Sequence, residues 1–308
     1  MPRFSRPALV LVLAALLAAP VLLNIYWLRV LSNVFMFAVL AQGINIMAGH
    51  TGYPAFGNVV FFGLGGYTAA IAMVKLKLSF ALALLAGTLV CPLLVLAIGL
   101  PILRLKGHYF AIATLGLNEA LREVTANARS LTGGGMGLSL PLPPGEPAAA
   151  AHFFYYLLLA LMLGATWLTW EFSRRRLGIG CAAIRDNETK AEASGLRTLR
   201  YKAAAWMLSA AMTGAVGATN AYWLTYIDPP GVFDMTIAVK SFVIFLLGGP
   251  GTVLGPLFAA LGVELLATFT WAKLLNWHLG AMGLLIMLVV LAFPRGLRAF
   301  AAAGREKT

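Results

Sequence analysis

Lys240 and Glu264 each lie about six residues inside the open end of one hairpin of apolar runs, roughly 9 Å below that end at 1.5 Å per residue. A lone charge at such depth in an apolar medium is costly, and an opposite charge beside it offsets part of the cost. Their matching depths predict an intramembrane ion pair. The alternative is that Lys240 extends its stem back to the surface while Glu264 is neutral or paired elsewhere. Glu119 and Arg122, three residues apart, predict a local ion pair on one helix face.

Uncharged polar residues inside apolar runs form a second set. Gln42 and Asn45 are three apart and share a helix face. Asn58 and Tyr67 lie among Gly57, Gly63, Gly65 and Gly66, which permit close helix approach or a broken helix. A helix end exposed by a break offers unpaired N–H groups to a carboxylate. Gln42, Asn45, Asn58, Tyr67 and Asn118 are therefore candidates to line a solute pathway. Hydrogen bonding between helices is the plain alternative.

Other chemistry has no residues to carry it. No G-x-x-x-x-G-K-[ST] loop, no His-Glu-x-x-His and no Gly-x-Ser-x-Gly elbow occurs in the sequence. His50, His108, His152 and His278 are scattered near run ends without metal-ligand spacing. Cys91 lies in an apolar run and Cys181 in a basic loop, at different depths, so neither a disulfide nor a metal site follows. The expectation is a chain that is not an enzyme and binds no metal or cofactor of its own.

The elements that position these residues are membrane spans. Of 308 residues, 60% are hydrophobic and 11% charged, against about 25% charged in soluble domains. Ten apolar runs approach the roughly 20 residues a spanning helix needs. They lie near 8–28, 30–48, 55–74, 80–103, 108–126, 153–172, 203–223, 235–248, 254–270 and 277–293. Arg3 and Arg6 before the first run also fit a signal peptide, but the second run follows almost at once. The runs at 235–248 and 254–270 are short and fit a re-entrant pair about Gly248-Gly249-Pro250-Gly251, provided protein buries the turn. The reading is a single transmembrane domain over 1–308, an all-α polytopic membrane protein of about ten transmembrane helices. Ten divides into two inverted five-helix halves, an expectation from the count, since 49–66 and 248–262 share glycine richness but no residue-by-residue similarity.

The net charge is +12, but the basic residues cluster between apolar runs, which excludes a nucleic-acid footprint. With a cytoplasmic N-terminus, sixteen of the 23 Lys and Arg fall on the cytoplasmic side, six outside, and Lys240 within a span. That bias follows the positive-inside rule and places both termini and the 173–202 loop in the cytoplasm. Within that loop the spacing predicts a short helix over 185–194, stopped by Gly195. It is either a docking surface or a solvated basic loop. The outer, periplasmic loop over 127–151 holds Gly133-Gly134-Gly135, Pro141, Pro143, Pro144 and Pro147, a density that predicts neither regular helix nor strand.

Five segments, read together and in order, resemble the LivM-type permease subunits of branched-chain amino acid ABC importers. They are GHTGYPAFGNVVFFGLGGYTAA (49–70), GHYFAIATLGLNEALREV (107–124), LTGGGMGLSLP (131–141), AAIRDNETKAEASGLRTLRYK (182–202) and GGPGTVLGPLFAAL (248–261). The similarity extends from about Ile44 to Pro294. Ala55 and Asn58 stand where the family pattern has a serine and a histidine.

The resemblance implies a permease of the bacterial cytoplasmic (inner) membrane that translocates branched-chain or related amino acids. It implies a second permease subunit, two cytoplasmic ATPase subunits that use the ATP, and a periplasmic substrate-binding protein. The segment carrying Arg185, Asp186, Asn187, Glu188, Glu192, Ala193 and Gly195 resembles the family's ATPase-coupling segment. A urea or short-chain amide ABC permease of the same family is the alternative. A stand-alone secondary transporter or channel is the alternative of another class, and the coupling segment argues against it.

Overall fold

The computed structural model describes residues 6–273 together with Gly283. The tenth expected span, near 277–293, lies outside the described residues, as do Arg3, His278 and the basic C-terminal residues.

The chain is helical almost throughout. Helix α1 (Arg6–Leu22) is followed by α2 (Ile25–Ile44), which runs on through a π-helical turn at Asn45–Gly49. A 3-10 turn (Phe56–Asn58) opens α3 (Val59–Val74), and α4 (Phe80–Leu94) continues through a second π-helical turn into α5 (Leu100–Ile102). Then come α6 (His108–Asn127), the short α7 (Arg129–Thr132), β1 (Leu138–Ser139) and α8 (Pro147–Arg174). The next hairpin holds α9 (Arg176–Asp186) and α10 (Glu188–Ala193) and leads into α11 (Thr198–Leu224). After β2 (Tyr226–Ile227) and α12 (Pro229–Val232), α13 (Met235–Gly248) and α14 (Gly255–Lys273) complete the described chain.

Helices therefore occupy all nine of the expected runs that fall among the described residues, with shifted edges. The first expected run crosses a real break: Asn24 caps α2 by accepting from Trp27 N, so α1 stops at Leu22. The 127–151 segment departs from expectation. Positive-φ glycines at 133, 134 and 137 fold it tightly, a two-residue strand pairs antiparallel with β2 (Leu138 opposite Ile227), and Pro147 starts α8 at its first turn. Proline reads as a loop residue by density, yet its missing N–H costs nothing at a helix start.

Among the described residues, five helical stretches, including Ile25–Gly49 and Phe80–Ile102, are long and apolar enough to cross a membrane. Along α4 and the π-helical turn after it, Leu82, Leu85, Leu89, Leu93 and Leu96 are exposed and form an apolar stripe suited to lipid. The helix α6 carries Glu119, Arg122 and Glu123, and α11 is rich in alanine and glycine, so neither meets the same apolar standard. With these helices the chain is a multi-pass membrane protein.

Small residues set the packing. The buried helix α11 lies against α2, α3, α4 and α8. A Cβ at Gly217 would collide with the Phe62 carbonyl, and one at Gly65 would strike the Gly214 backbone. Close backbone approach of this kind drives helix association where lipid removes the hydrophobic force. Proline shapes α1: Pro20 has no N–H to give the Leu16 carbonyl, and Tyr155 Oη of α8 donates to that oxygen at 2.8 Å.

The connections collect in two sets. One joins residues 45–55, Leu103, the 185–202 segment and the 249–254 turn through hydrogen bonds. The other joins β1, β2 and the chain around Phe233, where Asn118 Nδ2 donates to the Phe233 carbonyl at 3.1 Å.

Candidate functional site

The 185–195 segment is not one helix. It breaks at Asn187, whose extended backbone ends α9 and whose side chain caps α10 by accepting from Lys190 N at 2.9 Å. Asparagine competes well for such a cap, so the break wins over the helical propensity of the flanking residues. Gly195 ends α10 with φ +85°, and the bonds Gly195 N to Glu192 O and Leu196 N to Ala191 O form a Schellman motif. Asp186, Asn187, Glu192, Ala193 and Gly195 are exposed on the outer side of this hairpin.

Its inner side is anchored by charge. Lys202, 3% exposed, donates from Nζ to Glu188 Oε1 at 2.8 Å, to the Leu103 carbonyl at 3.0 Å and to Tyr53 Oη at 3.1 Å. Tyr53 Oη also donates to Glu188 Oε2, and its ring lies 4.4 Å beneath the ammonium. Burial pushes the Glu188 carboxyl up, but hydrogen bonds from Lys202 and Tyr53, with the charges of Lys202 and Lys106, outweigh it and hold it below the usual range. Burial, then the bond to Glu188, raise the Tyr53 hydroxyl well above a usual phenol. Thr198 Oγ1 donates to Glu192 Oε1 at 2.8 Å, and Arg185 Nη1 donates to the Gly49 carbonyl at 2.9 Å.

The polar residues within the bundle separate into three places. Gln42 and Asn45 meet the 249–254 turn: Gln42 Nε2 donates to Val253 O at 2.5 Å and Asn45 Nδ2 to Thr252 O at 2.6 Å. Asn58 joins Thr213 and Ser209 of α11, donating to Thr213 Oγ1 at 3.0 Å and accepting from Ser209 Oγ at 3.3 Å. Beside it is a narrow cleft lined by Leu40, Ile44, Phe56, Thr213, Ile237 and Ser241, with room for about one water molecule. Tyr67 and Asn118 both lie against Phe233, Tyr67 by ring stacking. Gln42 Oε1, Tyr67 Oη and Asn118 Oδ1 are buried with no partner among the described residues.

Lys240 Nζ and Glu264 Oε1 are 2.5 Å apart, and the ammonium also covers the Phe37 ring at 4.2 Å. Arg122 pairs with Glu119 on the exposed face of α6. Among the described residues no group of three or more His, Cys, Asp or Glu is placed to hold a metal ion.

Sequence reasoning missed Tyr53, Lys202, Ser209 and Thr213. Lys202 carried a signal, its place in the basic loop, but there it reads as a solvated charge. Tyr53 and Glu188 are 135 residues apart, and no local pattern links them.

The profile of the family described as "Branched-chain amino acid transport system / permease component" matches residues 7–291. The high-affinity branched-chain amino acid transport system permease protein LivM of Escherichia coli (strain K12) is 27% identical, over 96% of this chain and 78% of that protein. The LivM protein of Salmonella typhimurium is also 27% identical, over 85% of this chain and 67% of its own length. No solved structure matches the chain. A helical multi-pass bundle with an anchored polar hairpin at one end, matched over nearly its whole length by this profile, belongs to the branched-chain amino acid transport system permease family.

Proposed function

We propose that this chain is the transmembrane permease subunit of an ABC importer that moves branched-chain or related amino acids across the bacterial cytoplasmic membrane. The relatives named LivM support that substrate class. The carrying observation is the 185–195 hairpin, which presents Asp186, Asn187, Glu192 and Gly195 outward while Lys202, Glu188, Tyr53 and Arg185 fix its inner side to the helix ends. A loop that only set topology would need no buried anchor. A rigid hairpin suits a surface that takes force from a cytoplasmic ATPase subunit. Two such subunits, a second permease subunit and a periplasmic binding protein complete the assembly, and the ATP is theirs to hydrolyse.

The 1–308 chain forms one permease domain of ten spans in two inverted halves, with both termini cytoplasmic. The polar edges of the pathway are Gln42, Asn58, Tyr67 and Asn118; three of them keep a buried polar atom unpartnered among the described residues. Asn45 has both its amide groups engaged by the 249–254 turn. The exposed Glu119, Arg122 and Glu123 of α6 suit protein or water better than lipid, and the second permease subunit covers that face.

The test is isolation from native membranes followed by reconstitution. An ATPase and a second permease should co-purify. The liposome-embedded complex should import leucine only with internal ATP and external binding protein. Leucine movement by this chain alone, without ATP, would place it among stand-alone carriers instead.

A further inference from the structure

We propose that Arg185 and Asn45 link the coupling hairpin to the turn between α13 and α14, with the π-helical end of α2 as the joint. This rests on the functional reading above, and both are positioning residues. Arg185 reaches over the hairpin and donates to the carbonyl of Gly49, the last residue of the π-helical turn. Asn45, its first residue, grips the 249–254 turn from both sides of its amide. Its Oδ1 accepts from Gly251 N at 2.8 Å while its Nδ2 donates to Thr252 O at 2.6 Å. Gln42, nearly one helical turn earlier, adds the bond to Val253 O.

The fit requires glycine at two places. A Cβ on Gly49 would collide with Asn45 Oδ1 and lie 2.7 Å from Gly251 N, so the turn could not seat against α2. Gly251 holds φ +76°, a backbone that other residues resist. A π-helical turn is a rare local widening of a helix, and such turns recur at functional sites. The turn at Asn45–Gly49 runs from the residue that holds the 249–254 turn to the residue that Arg185 holds.

The linkage has a mechanical consequence. The 249–254 turn joins α13 to α14, and α13 supplies Ile237, Ala238 and Ser241 to the cleft beside Asn58. Moving the turn moves one wall of that cleft. The Lys202 anchor goes elsewhere, to Tyr53 and the end of α5, and holds the hairpin on the bundle. Of the hairpin's hydrogen bonds described above, that of Arg185 is the one that leads to the 249–254 turn.

The experiment compares Arg185→Gln, Asn45→Ala and the double variant in the reconstituted complex, reading ATP hydrolysed per leucine imported. Asn45 is fully buried, so its effect cannot come from touching an ATPase. Each single variant should raise the ratio about threefold or more. The double should match the larger single, since both break one link. An unchanged ratio in Asn45→Ala, or effects that multiply in the double, overturns the inference. Where Asn45→Ala does not assemble, Asn45→Asp decides: it still accepts from Gly251 N but cannot donate to Thr252 O. Its ratio should lie between wild type and Arg185→Gln, and a wild-type ratio overturns the link. A wild-type complex without ATP-driven import overturns the functional reading itself, and the inference falls with it.

Discussion

Replacing Lys202 by methionine leaves the Glu188 carboxylate with only its bond from Tyr53 and no charge partner, and the Leu103 carbonyl without its donor, in a nearly closed site. Breaking one side of a buried ion pair costs about 3–5 kcal/mol, most of it from the charge left behind. Lys202→Met should therefore strongly lower thermal stability, and adding Glu188→Gln should recover much of the loss. Full additivity of the two would mean that they do not interact. The pH dependence has a definite sign. The Glu188 carboxyl is held below its unfolded value, so its contribution is present at neutral pH and is lost as pH falls through the lowered folded value. The gap in melting temperature between wild type and Glu188→Gln should be at its full size near neutral pH and shrink as pH falls below about 4, the unfolded carboxyl value. A gap that widens on acidification would contradict the anchor. At this scale the sequence was legible where partners are near in the chain. Glu119 and Arg122 pair as their spacing predicts. Lys202 reads as a solvated charge because nothing local distinguishes a lysine at a helix start from one folded inward onto a tyrosine 149 residues away.

Between elements, glycine backbones set the closest contacts, and the Lys240–Glu264 pair joins α13 to α14. The α3–α11 seam leaves no room for a methyl group at Gly217, whereas Gly116 of α6 has nothing within 4 Å of its Cβ position. Overpacking a tight contact costs about 1–3 kcal/mol, so Gly217→Ala should lower the inactivation temperature clearly. Gly116→Ala should hold or raise it, because alanine favours helix. Equal effects would show that the seam does not limit stability. The Lys240–Glu264 pair ties α13 to α14 at 2.5 Å. Lys240→Met should destabilise, and Lys240→Met with Glu264→Gln should be milder than the sum of the single losses, scored by folded yield. Helix positions were legible from apolar runs of spanning length. Their ends were less so, since capping decides them: Asn24 splits the first run, and Asn187 breaks a segment whose propensities favour one helix. Pro147 misled because a loop proline and a helix-starting proline look alike in composition.

Across the whole molecule the sidedness follows from where charges gather relative to the two sets of connections. The set holding Gly49, Leu103 and the 174–202 hairpin carries Arg104, Lys106, Arg174, Arg175, Arg176, Arg185, Lys190, Arg197, Arg200 and Lys202. The opposite set carries Arg29, Lys75, Lys77, Arg122 and Arg129. Removing the buried Lys202 leaves nine against five, so the bias survives the one residue that the fold reassigns. Short loops enriched in Lys and Arg stay on the cytoplasmic side. The hairpin is therefore expected to face the cytoplasm and the β1–β2 end to face outward. Ser139 and Ser194 are exposed, one at each end, and serve as cysteine sites. The native Cys91 and Cys181 are buried, and burial pushes the Cys181 thiol up to about 12, so little thiolate forms to react at neutral pH. In a variant with both native cysteines replaced by alanine, an impermeant maleimide on spheroplasts should label Ser139→Cys and spare Ser194→Cys. Inside-out vesicles should reverse the pattern. Labelling of position 194 from the outside would turn the molecule over and remove the hairpin from any cytoplasmic ATPase, however well it is anchored.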